Sequence, residues 1–88
     1  SYMNQKNYAE AVNILGEALT ASKTDYRIEN NLGYLTQEWA KHSALTGGEA
    51  AAQTVLEQML QRFPTVSAVQ RASTAYVLKL VSRLSDAG

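Results

Sequence analysis

The sequence has no cysteine, and it has one proline, one histidine and one tryptophan among 88 residues. Without cysteine there is no disulfide framework, no thiolate metal site and no thiol nucleophile, and a single histidine is too few for a histidine-built metal cage. The same absence fits cytosol and periplasm alike, so the compartment stays open. A dominant charge is missing too. Eight basic side chains balance eight acidic ones, and charged residues make up only 18% of the chain. That composition gives no field that would steer nucleic acid. No apolar run approaches the ~20 residues of a membrane span, so membrane insertion is not expected, and no charged-then-apolar leader precedes a small-residue cleavage site. No stretch alternates apolar and polar residues for long enough to make a strand.

What is present is helix-forming. Alanine, leucine, glutamine and glutamate fill the sequence between Gly16, Gly33, Gly47, Gly48 and Pro64. The spacing predicts a helix from about Tyr8 to Ser22, with Ala11, Ile14, Leu15, Ala18 and Leu19 inward and Lys23-Thr24 as its exit. A second helix starts near Asp25, carries Ile28, Leu32, Leu35 and Trp39 on one stripe, and is stopped by Thr46-Gly47-Gly48. Thr46 and Glu49 form a capping-box pattern, which starts a third helix at about Gly47. This one turns Ala52, Val55, Leu56, Met59 and Leu60 inward and ends at Arg62-Phe63, because Pro64 disfavours helical geometry in the residue before it. A fourth, from about Val66 to Leu84, carries Val69, Ala72, Tyr76, Leu80 and Leu84, and Ser85-Asp86-Ala87-Gly88 ends it. The expectation is an all-α chain of about four helices.

A shift of 41 residues lays the first half of the chain on the second. Ala11, Ile14, Leu15, Ala18 and Leu19 fall on Ala52, Val55, Leu56, Met59 and Leu60. Ile28, Leu35 and Trp39 fall on Val69, Tyr76 and Leu80. In this frame residues 1–24 end one helix-pair unit, 25–65 form a whole unit, and 66–88 supply the first helix of the next. A unit that cannot bury its apolar face alone needs neighbours, so the chain is expected to be part of a longer array. It is also expected to form homo-oligomers through exposed repeat ends.

In that frame the residues resemble the tetratricopeptide repeat family. Asn31-Leu32-Gly33 is similar to the family's small-residue step in the first helix. Ala52, Leu56 and Met59 stand for its second-helix set, and Pro64 for its closing proline. Tyr2, Asn7-Tyr8, Ala11, Leu15 and Ala18 follow the same plan in the partial unit ahead. The family's unit is about 34 residues, Met59 replaces a small residue, and Lys23 stands where a proline would be expected. The seven extra residues equal about two helical turns, so a helix can lengthen without rotating its apolar stripe. The resemblance implies a superhelix of antiparallel helix pairs, a protein-interaction role without catalysis, and no cofactor. HEAT-type or other long helix-pair repeats are the alternative fold of this kind.

In a superhelix of this kind the first helices line the concave surface. Arg27, Asn30, Asn31, Tyr34 and Glu38 would then face a groove, with Arg71 and Lys79 on the next first helix beside Ala68, Ala72 and Ala75. Such a groove suits an extended partner peptide with acidic or amide groups. It lacks the lysine-and-asparagine pairing by which some family members hold a C-terminal carboxylate. The C-terminal third is locally basic, with Arg62, Arg71, Lys79 and Arg83 against Asp86. That is far short of a nucleic-acid patch.

His42 is the only conventional general base, and its neighbours specify no triad, so it reads as a surface or hairpin-end histidine. His42 followed by Ser43, Ala44, Leu45, Thr46 and Gly47 faintly resembles the phosphoacceptor segment of histidine phosphotransfer domains. Leu45 stands where that family places a lysine. A phosphotransfer bundle is the second functional reading, and a structural spacer or self-association repeat the third. Trp39, in step with Leu35, reads as core. Gly47-Gly48 follows no strand and precedes no Gly-Lys-Ser/Thr, so it reads as a turn rather than a phosphate cradle. The glutamates are dispersed and no metal site is expected.

Overall fold

A computed structural model describes residues 5–22 and 25–87, with side chains described over 7–22 and 25–82. Tyr2, the expected exit at Lys23-Thr24, and Gly88 lie outside these residues, as does the side chain of Leu84. Within them the chain is all-α: α1 (Gln5–Ala21), α2 (Tyr26–Arg62) and α3 (Ser67–Ala87), with no strand. Three helical spans therefore stand where four were expected, because the two helices that meet at Gly48 abut with no loop between them. The expected break is still present. Gly48 has φ 80° and ψ −178° inside α2, a region open essentially to glycine alone.

This one residue folds α2 back on itself. A straight helix of its length, 37 residues, would reach about 55 Å, yet the longest dimension of the molecule is 46 Å. Glu29, near the start of α2, and Arg62, its last residue, line the same cavity. The arms 26–47 and 49–62 thus lie antiparallel. The expected capping box does not form at the bend. Thr46 donates its hydroxyl back to the carbonyls of His42 (3.2 Å) and Ser43 (3.4 Å), and the Glu49 carboxylate accepts from the Tyr76 hydroxyl at 2.8 Å. The Thr46 hydroxyl thus serves the carbonyls behind it and not the amides of the arm that follows.

The other ends follow local chemistry. Asp25 is the N-cap of α2, its carboxylate accepting from the Arg27 amide at 2.9 Å. Phe63, ahead of Pro64, leaves the helical region at φ −126° and ψ 62° and ends the helix, as proline disfavours α geometry in the residue before it. Val66 closes the turn by donating to the Phe63 carbonyl at 3.2 Å. The Gln70 side chain caps the Pro64 carbonyl at 2.6 Å.

The core joins Val12 of α1 to Leu32, Ala40, Ala52, Val55, Leu56, Met59 and Phe63 of the hairpin region and to Val66, Val69 and Tyr76 beyond it. The stripe expected for 52–60 is buried except for half-buried Leu60, and on α3 Val69, Ala72 and Tyr76 are buried with Leu80 half-buried. Two faces are rotated from expectation. On α1 the buried residues are Tyr8 and Val12, and Ile14 is 67% exposed. In the first arm of α2 the fully buried set is Leu32, Thr36, Ala40 and Ser43, while Ile28, Leu35 and Trp39 are half-buried. Thr36 tolerates burial because its hydroxyl donates to the Leu32 carbonyl at 2.7 Å.

α1 and α3 each pack on α2, and among the described residues they make no contact with each other. The last helix therefore does not close on the first, and the arrangement is open. Contacts tie each end of the hairpin region to a neighbouring helix. Tyr8 of α1 stacks on Trp39, with ring centroids 6.4 Å apart and planes within 9°. Glu49, just after the bend, accepts from the Tyr76 hydroxyl on α3.

Candidate functional site: the furrow between α2 and α3

Beyond the turn at Pro64, α3 runs alongside the first arm of α2 in the same direction: Ala68 lies against Gly33 and Tyr76 beside Lys41. Gly33 sets how close the two helices come. A Cβ built on it would stand 2.8 Å from the Ala68 carbonyl oxygen and 3.1 Å from its carbon. Only glycine fits there, which gives the Asn31-Leu32-Gly33 step its physical meaning: Leu32 enters the core while Gly33 admits the neighbouring backbone.

The furrow opens beside this contact. Its first hollow, about 370 Å³, is lined by Asn30, Tyr34 and Gln37 on one wall and by Arg71 and Ala75 on the other, with Gly33, Ala68 and Ala72 as its floor. Tyr34 is 66% exposed, a large amphipathic ring held at the rim on a helix. Further along the same pair of helices a second hollow, about 500 Å³, is lined by Lys41, Tyr76, Lys79 and Ser82. The charged side chains lining both hollows, Arg71, Lys41 and Lys79, are basic. Lys41 pairs with Glu38 at 3.3 Å; among the described residues no ion pair involves Arg71 or Lys79.

The structure therefore brings Asn30, Tyr34 and Arg71 into one hollow and places Lys79 in the next. Arg27 is at the start of α2, its guanidinium 3.5 Å from Asp25, and lines neither. Asn31 is exposed but lies round the helix from Asn30, and Glu38 reaches the furrow only through Lys41. Gln37 and Lys41 line the walls without having been singled out in the sequence. They extend the Asn30-Tyr34 row at helical steps of three and four, and that spacing was the available signal.

His42 is not a free surface histidine. It is half-buried, and its ring lies 5.6 Å from that of Tyr8 at a 46° tilt. Another hollow, about 570 Å³, lies where α1 meets the two ends of α2, with Gly16, Glu17, Glu29, Arg62 and Phe63 in its lining. Arg62 there is occupied internally: it donates to the Asn13 carboxamide and lies 5.3 Å over the Phe63 ring. No group of three or more metal-ligating side chains converges among the described residues, and no helix is long and apolar enough to cross a membrane. The chain matches no family model, no curated protein and no solved structure.

Proposed function

We propose that the chain is a protein-interaction module, similar in plan to tetratricopeptide repeats, that holds an extended partner segment in the furrow between the first arm of α2 and α3 and performs no catalysis of its own. The observation that carries this reading is the composition of the furrow. An exposed tyrosine and two amide side chains face an arginine across a floor of glycine and alanine, so a backbone can approach closely while its amides and side chains find polar partners. The charged lining is basic, which suits acidic or amide-bearing segments. The walls belong to two helices that share a buried core, so the residues are pre-positioned and little ordering cost falls on the module.

The open packing of α1, α2 and α3 supports an array of helix pairs in preference to a closed phosphotransfer bundle. The packing of His42 against Tyr8 favours the same choice, since a phosphoacceptor imidazole must reach solvent and a partner protein. To test the furrow, an array of extended 12-residue peptides graded in Asp/Glu and Asn/Gln content would be probed with wild type, Tyr34→Ala and Arg71→Glu. Binding should rise with acidic content, weaken from low to physiological salt, and fall about tenfold or more in either variant. Equal binding by all three proteins would reject the furrow as the site.

A further inference from the structure

We propose that copies of this chain associate head to tail, α3 of one copy packing against α1 of the next, so that two molecules complete between them the helix pair that α2 forms within one. The inference rests on the internal repeat and not on the furrow. A shift of 41 residues maps α1 onto the arm 49–62 and the arm 26–47 onto α3. Each mapped position can therefore be compared in a paired and an unpaired setting.

The comparison isolates two unpartnered faces. Thr36 and Ala40 are 0% exposed, whereas their counterparts Val77 and Val81 are 47% and 52% exposed. Val55 is 5% exposed, whereas its counterpart Ile14 is 67% exposed. Leu78, at 62%, answers half-buried Gln37. A face meant for water would carry polar residues where the paired helix carries apolar ones. Here the trend is reversed: valine replaces threonine and alanine, and leucine replaces glutamine, on the more exposed helix. Val77, Leu78 and Val81 are neighbours on one side of α3, large enough together to mark a contact surface.

Two further observations select α1 of another copy as the occupant. The helices have opposite net charge: α1 carries Lys6, Glu10 and Glu17, and α3 carries Arg71, Lys79, Arg83 and Asp86. Glu10 and Glu17 lie on the same exposed side of α1 as Ile14. Register agrees as well. Within α2, Val55 and Lys41 are equally far from the bend at Gly48, so in the equivalent intermolecular pair Ile14 comes level with Ser82, beside Val81 and Leu78. The two patches differ and lie on different helices, so the contact is heterologous and need not close.

That asymmetry gives the test. Sedimentation velocity of wild type over a wide concentration range should show mass increasing with concentration and decreasing with salt. Ile14→Asp and Val81→Asp, at exposed positions, should keep wild-type helicity by circular dichroism and associate about tenfold or more weakly when alone. An equimolar mixture should restore association but stop at one-to-one dimers. In such a dimer the intact α3 of the Ile14→Asp copy receives the intact α1 of the Val81→Asp copy, and both remaining faces are blocked. Ile14→Ser and Val81→Ser replace the aspartates if helicity falls. Wild type that stays monomeric throughout, a variant that associates like wild type, or a mixture no more associated than its components would each overturn the proposal.

Discussion

Gly33 shows how one residue decides the spacing of two helices. Replacing it with alanine would gain about 1 kcal/mol of intrinsic helix propensity. The added methyl, however, would meet the Ala68 carbonyl at 2.8 Å, a backbone group that cannot swing away, and overpacking of this kind costs about 1–3 kcal/mol. The clash should win, with Gly33→Ala lowering stability by up to about 2 kcal/mol in urea melts followed by circular dichroism. Asp25 acts at the same scale through charge. The Arg27 amide bonded to its carboxylate, helped by the Arg27 guanidinium, holds its pKa below the ordinary carboxylate value. Its contribution is therefore full above the unfolded-state pKa of about 3.9 and is lost as pH falls through the lower folded value. Asp25→Asn, which keeps a capping oxygen, should match wild type near neutrality and lose less stability on acidification below about pH 4. Parallel acid titrations of thermal stability check this; identical acid sensitivity would contradict it. Residue-scale legibility was uneven. Trp39 read as core and does pack against it, half-buried, but its stacking on Tyr8 of α1 depends on a contact distant in sequence.

At the scale of elements, the helices and their stops were legible wherever local chemistry decides them. Pro64 stops α2 through the residue before it, Asp25 starts it, and the Gly47-Gly48 pair breaks it. The capping box was not legible as false, since the pattern Thr46…Glu49 is present but Tyr76, 27 residues beyond Glu49, claims the carboxylate. Nor could periodicity fix the rotation of α1. Ile14 and Val12 both fit a helical stripe, and only the position of α2 selects Val12. The bend itself makes a clear prediction. Nothing lies within 4 Å of a Cβ placed on Gly48, so Gly48→Ala introduces no clash, yet it forces a side-chain-bearing residue to φ 80°. That strain should cost about 1–3 kcal/mol, against little or no cost for an alanine placed at an exposed helical site such as Gln53. A Gly48→Ala protein with wild-type stability in denaturant melts would show that the hairpin does not depend on this backbone conformation.

For the whole molecule, α2 is the shared element: Tyr8 of α1 stacks on Trp39 in its first arm, and Tyr76 of α3 donates to Glu49 after its bend. Within the candidate site, Asn30, Tyr34 and Arg71 were legible because residues three and four apart share a helix face and the shift placed a second helix beside the first. Arg27, Asn31 and Glu38 fell outside the furrow because a helix face about 100° wide admits fewer residues than a list of neighbouring polar side chains suggests. Gln37 and Lys41 entered it on the same geometric ground. The central claim is that this furrow is a binding surface. The most direct measurement is the set of backbone amide shifts, followed by NMR, during titration with an extended Asp- and Asn-containing peptide selected from the graded array. The account predicts that the largest changes fall on Asn30, Tyr34, Gln37, Arg71 and Ala75, along both walls, and diminish with added salt. Changes centred on α1 or on the cavity around Phe63, with these five amides unmoved, would contradict it.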